Sequence, residues 1–147
     1  MRSLSLPDAK QFGLNFFHCG LIGWCMECFW TGLGSLKERS RDKRLLCHTS
    51  VWMFPIYGLA AFIPPVYKVI QTKPAYFRGA VYAFGIFFFE FVSGSLLKKH
   101  NACPWDYSDA KLNYKGLIRL DYGPCWAAAG LLFERVLCKK KNLQSYH

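Results

Sequence analysis

Two glutamates stand where a carboxylate is costly to keep. Glu27 is the one charged residue in the apolar run Phe12–Leu33, and Glu90 shares the run Ala75–Leu97 only with Arg78. A carboxylate in the hydrocarbon of a bilayer costs on the order of 3 kcal/mol, so it faces a bundle interior or a wet cavity and by default marks a pathway or a site. Poor solvation and a like charge nearby both favour a proton on one of two such groups. Brought together, Glu27 and Glu90 could share a proton, or release it and bind a cation. Tyr57 and Tyr122, each followed by glycine, carry hydroxyls able to donate to the ionised form, and Asp121 borders Tyr122. The alternative is structural: each glutamate, protonated or hydrogen-bonded, glues helices together.

The spacing suggests an internal repeat. Glutamate recurs after 63 residues (27 to 90) and Tyr-Gly after 65 (57 to 122). Each half then reads as a helix bearing a glutamate, a polar loop, and a returning helix with Tyr-Gly in its first turns. Two such hairpins make parallel repeats, related by an axis along the membrane normal. With a rise of 1.5 Å per residue, the glutamates fall roughly 12–15 Å below the loops and the tyrosines roughly 8–9 Å, in one shallow layer.

Four apolar stretches must hold that layer: residues 12–33, 51–70, 75–97 and 117–137. Each has the ~20 residues needed to cross a ~30 Å hydrocarbon core. The fourth is the weakest, with Arg119, Asp121, Glu134 and Arg135 near its ends. The second holds Pro55, Pro64 and Pro65, which break a helix in water but are tolerated in lipid where neighbours satisfy the freed carbonyls. The first is too long for the apolar core of a cleavable signal and is interrupted by Glu27. The expected fold is all-α: a single transmembrane domain over residues 1–147, its four helices arranged as two parallel-repeat hairpins. A basic tail occupies 139–147. Both termini share one side, and the basic loop Ser35–Ser50 and the long loop Lys98–Gly116 share the other. Lysine and arginine divide almost evenly between the sides, so orientation is left open.

A net charge of +10 invites a nucleic-acid reading. With apolar residues at 52 % and aromatics at 18 %, and with charges confined to short stretches, the chain instead excludes disorder and a small disulfide scaffold. Trp52 and Trp105, near lysines, read as interfacial anchors. The expected partners are the lipid bilayer and a second copy or a partner membrane subunit, with no nucleic acid. No phosphate-binding Gly-x-x-x-x-Gly-Lys run, Gly-x-Ser-x-Gly elbow or His-Glu-x-x-His pair occurs, and no cofactor or metal is expected. Seven cysteines are an odd count, against a closed disulfide framework. Cys25 and Cys28 have metal or redox spacing, but in an apolar segment they read as small hydrophobes. Cys47 and Cys103, in loops of one side, could bridge if that side is lumenal.

The loop Asn101-Ala-Cys-Pro-Trp-Asp-Tyr-Ser108 is the most information-rich stretch. Pro104 stiffens it, Trp105 and Tyr107 suit the headgroup region, and Asp106 and Ser108 can cap local backbone N–H groups. It is either an anchored surface loop or a lid over the glutamate layer, formed by Trp105, Asp106 and Tyr107.

The chain resembles the transmembrane protein 229 family of animals and the wider bacterial family of ABC-transporter type IV, CmpB-like proteins. The resemblance rests on Gly23-Trp24-x-x-Glu27, Thr49-Ser-Val-Trp-x-x-x-Ile-Tyr-Gly58, Glu90-Phe-x-x-Gly-x-x-Leu97, the loop Asn101–Ser108, Gly116-Leu-Ile-x-Leu120 and Trp126. Pro55-Ile-Tyr-Gly58 keeps the wider family's pattern, whereas its usual Asn-Arg-Gly is absent from the Leu45–Ser50 region. The resemblance implies a small multi-pass membrane protein linked to transport of an unnamed substrate. The expected function is a permease-like component handling a small solute or ion through Glu27 and Glu90. The alternatives are a non-catalytic accessory subunit and an intramembrane lipid-modifying enzyme.

Overall fold

The computed structural model describes residues 8–36 and 43–139. The basic run Lys37–Arg41 and the tail beyond Lys139 lie outside the described residues. The chain forms two compact units, Ala9–Ala61 and a second from Phe62 onward. The described residues are overwhelmingly helical, so the fold is all-α.

The first unit is a hairpin of α1 (Ala9–Gly34) and α2 (Met53–Gly58). Aromatic rings of α2 settle on glycines of α1. Phe54 lies over Gly20 and is ringed by Phe16, Phe17 and Trp24, the last at 4.9 Å between centroids. Tyr57 lies over Gly23, and Phe16 returns the contact over Gly58. A Cβ at Gly23 would fall within the Tyr57 ring, so only glycine admits this approach.

The second unit packs α3 (Ile63–Ile70), α4 (Ala75–Lys99) and α5 (Gly123–Lys139). The second apolar run of the sequence is thus not one regular helix. A 3-10 turn, Leu59–Phe62, separates α2 from α3. Pro64 and Pro65 explain it: they sit in the first turn of α3, where the missing N–H groups are no loss, but they cannot donate to the carbonyls four residues back. Between α4 and α5, Gly79 meets Ala127 and Leu131, and Gly130 receives the Tyr82 ring.

The fourth helix begins at Gly123, six residues after the expected start. Residues before it form a short antiparallel hairpin, β1 (Asn113–Tyr114) with β2 (Ile118–Arg119). Its three-residue connection, Lys115 to Leu117, has positive φ at Lys115 (55°) and Gly116 (69°), and the Leu117 N–H donates to the Tyr114 carbonyl at 3.0 Å, closing a mirror-image turn that matches strand twist. Pro124 then fits the first turn of α5.

Met53–Ile70 and Ala75–Lys99 are long and apolar enough to cross a membrane. Phe84 and Phe88, one turn apart on α4, are exposed, as are Leu14, Phe17 and Leu21 along α1. Lipid accommodates such side chains where water does not.

Candidate functional site

Glu27 lies on α1, one turn beyond Gly23, so the space left by glycine also sets the partner of the carboxylate. The Tyr57 hydroxyl donates to Glu27 Oε2 at 2.8 Å. Tyr57 comes from α2, whose approach is anchored by Trp24 Nε1 donating to the Ser50 carbonyl at 3.0 Å. Among the described residues no lysine or arginine bridges Glu27.

Glu90 lies on α4 in the second unit and is 8 % exposed. The Tyr107 hydroxyl donates to its Oε1 at 3.3 Å. Tyr107 arrives from the long loop, which folds on itself before it meets α4. Asp106 Oδ1 accepts from the Ser108 N–H at 3.0 Å and from its hydroxyl at 2.5 Å. The Tyr107 N–H donates to the Gly116 carbonyl at 2.8 Å, and Asn113 binds the Ser108 and Ala110 carbonyls. A side chain at Gly116 would meet Ser108 Oγ at 2.5 Å and Asp106 Oδ1 at 2.8 Å, so close approach and positive φ both require glycine there. Trp105 donates to the Leu117 carbonyl at 3.1 Å and lays its ring over Gly94, one turn beyond Glu90. The three residues expected to form a lid therefore divide their work: Trp105 seats the loop, Asp106 shapes it, and Tyr107 reaches the carboxylate.

Tyr122 stands in the 3-10 turn before α5, edge-on to Tyr107 at 5.9 Å and to Trp126 at 6.2 Å. Arg119 Nη1 donates to its hydroxyl at 3.3 Å, and the guanidinium lies over its ring. Asp121 is exposed and accepts from Arg119 at 2.9–3.0 Å through both carboxylate oxygens. These bonds hold Asp121 below the ordinary aspartate range. Asp106 is likewise lowered, chiefly by the Ser108 hydroxyl and then by its N–H. An open groove of about 380 Å³ on the loop is lined by Asp106, Tyr107, Asp109, Lys111 and Arg119. The structure thus joins Glu27 to Tyr57 and Glu90 to Tyr107, and gives Tyr122 and Asp121 a common partner in Arg119. Among the described residues, no three His, Cys, Asp or Glu side chains are grouped to hold a metal. Cys103 donates to the Trp105 carbonyl at 3.2 Å.

A family model described as "Putative ABC-transporter type IV" (CmpB) matches residues 14–144. The chain belongs to this family. No solved structure matches it. Membership in this family and the two apolar runs of membrane length are consistent with a membrane protein of transport-related role.

This type IV family member also carries a cluster that sequence reasoning passed over. On α5, Glu134 stands one turn beyond Gly130, and the Tyr82 ring that fills the glycine's place donates its hydroxyl to Glu134 Oε2 at 2.6 Å. Arg78 binds the same carboxylate with two bonds, at 2.9 and 3.0 Å. Its third bond, at 2.6 Å, goes to the Lys73 carbonyl, and its guanidinium lies 5.8 Å from the Tyr67 ring centroid. The cluster ties α3, α4 and α5 together. A signal existed: Gly-x-x-x-Glu occurs at Gly23–Glu27 and again at Gly130–Glu134.

Proposed function

We propose that the chain is a multi-pass subunit of membrane transport machinery, in which Glu27–Tyr57 and Glu90–Tyr107 are sites for a proton or a small cation. The observation that carries the reading is Glu90: a carboxyl 8 % exposed, on an apolar helix of membrane length, with its tyrosine supplied by a folded polar loop. A side chain needed only for glue has no use for a partner on a loop, whereas a site that loads and unloads does. In this reading α1 and α5 also cross the bilayer, giving four spans. The 26 residues of α1 reach about 39 Å, and the 17 of α5 about 26 Å. The repeat is the parallel one, with one glutamate–tyrosine pair in each unit. Kinship with the transmembrane protein 229 family belongs to the same proposal, through Asn101–Ser108.

The test is pH-coupled flux in proteoliposomes. Glu27→Gln with Glu90→Gln should leave the protein folded and abolish the flux, and unchanged flux would reject the sites. Arg78–Tyr82–Glu134 favours a second reading, because it employs a buried glutamate and tyrosine purely as a fastener. A non-catalytic accessory subunit would show no flux phenotype in the double variant and would copurify with a defined membrane partner.

A further inference from the structure

The stretch from Leu45 to Ser50 runs back along α1, fastened at two points. Thr31 Oγ1 donates to the His48 carbonyl at 3.0 Å and lies 3.1 Å from the His48 N–H. Two turns earlier on α1, Trp24 holds the Ser50 carbonyl. Gly32 leaves room for this stretch: a Cβ there would stand 3.1 Å from the Leu45 carbonyl oxygen and 3.6 Å from Cys47 Cβ. Cys28 is one turn before Gly32, and helix side chains lean toward the N-terminus, so Cys47 is set down beside it. Cys47 is the side-chain neighbour that acts most strongly on the Cys28 thiol. Both are free, Cys47 exposed and Cys28 half-buried.

We propose that Cys28 and Cys47 are a redox-responsive pair that closes to a disulfide, tying the α1–α2 connection to α1. The oxidant is a small-molecule disulfide of the glutathione class. The exposed Cys47 thiolate attacks one sulfur of that disulfide, its S–S bond breaks, and one thiol leaves. The Cys28 thiolate then displaces the second thiol from the mixed disulfide. One external disulfide is reduced to two thiols, two cysteine thiols are oxidised to one protein disulfide, and the two cysteine protons end on the leaving thiols. The bridge restrains the chain entering α2, and with it the seating of Tyr57 on Gly23. The proposal is independent of the transport reading.

The test uses the full chain in open membrane fragments, so that both faces meet the same glutathione buffer. After equilibration across a series of glutathione ratios, free thiols are alkylated and the digest is analysed by mass spectrometry. The expected result on the unaltered protein is a peptide linking Cys28 to Cys47 that grows with the oxidised fraction and reverses on reduction. Cys25→Ser should preserve it, and Cys47→Ser should leave Cys28 fully alkylated. Thr31→Val, which keeps both thiols but removes the His48 fastening, should move the midpoint of its formation to more oxidising glutathione ratios. A Cys25–Cys28 link, an interchain link at either position, or both thiols alkylated throughout the series would overturn the proposal.

Discussion

Glu27 and Glu134 occupy the same kind of seat in the two units. Each follows a glycine by one turn, each glycine admits a tyrosine ring from the neighbouring helix, and each carboxylate accepts that tyrosine's hydroxyl. They differ in one partner. Arg78 forks onto Glu134, whereas among the described residues no cation bridges Glu27. The guanidinium gives Glu134 two charge-assisted hydrogen bonds and, with the Tyr82 hydroxyl, engages both its oxygens, which fastens α4 to α5. Tyrosine alone offers one donor and no charge, so under the proposed function Glu27 is the carboxylate open to a proton or a cation. One local architecture thus occurs with arginine and without it, and under the proposed function that difference separates a fastener from a site.

The largest expected effect comes from breaking the fastener. Arg78→Ala leaves a mostly buried carboxylate without its cation and should cost about 3–5 kcal/mol, read as lost thermal stability in detergent. Arg78→Ala with Glu134→Gln should recover part of that loss, and no recovery would mean that the pair does not act through charge. Next comes the glycine seat common to both. Gly23→Ala and Gly130→Ala each force the tyrosine ring outward and should cost about 1–3 kcal/mol, with the first also disturbing Glu27. Equal indifference at both glycines would remove the parallel between the units. Tyr57→Phe keeps the ring on Gly23 and deletes one hydrogen bond, for about 1 kcal/mol of stability. Its effect on proton exchange should exceed that modest loss.

The smallest effect concerns the loop beside Glu90. Asp106 titrates below its ordinary value because its ionised form accepts two bonds from Ser108. A lowered folded-state value means that this contribution is complete above the unfolded aspartate range, about 4, and fades as pH falls below it. Trp105 fluorescence should therefore change in that acid window, and Asp106→Asn should remove the change. A transition near neutral pH would point to a different group.

Much of this arrangement was legible in the chain. Length and apolarity marked the helical runs, and an acidic residue in an apolar run marked Glu27 and Glu90. Tyr57 was legible because a tyrosine followed by glycine returns at the right height. Partnership across the loop was harder to read. Tyr107 reaches Glu90 only because Asp106, Asn113 and Gly116 fold the loop, and the Lys115–Gly116 turn lacks the Asn-Gly or Asp-Gly signature that announces a tight hairpin. For the same reason Leu117–Tyr122 read as helix by composition. Arg78 and Glu134 lie 56 residues apart and appeared only as charges near the ends of two runs, since no periodicity within one segment reports a pairing between segments.

The most direct test is an infrared pH titration of the protein in membranes, following the carbonyl stretch of protonated carboxylic acids. If Glu27 and Glu90 exchange protons as proposed, a titrating band diminishes in Glu27→Gln, diminishes in Glu90→Gln, and is unchanged in Glu134→Gln. A band that disappears with Glu134 and survives the loss of Glu27 and Glu90 would contradict it.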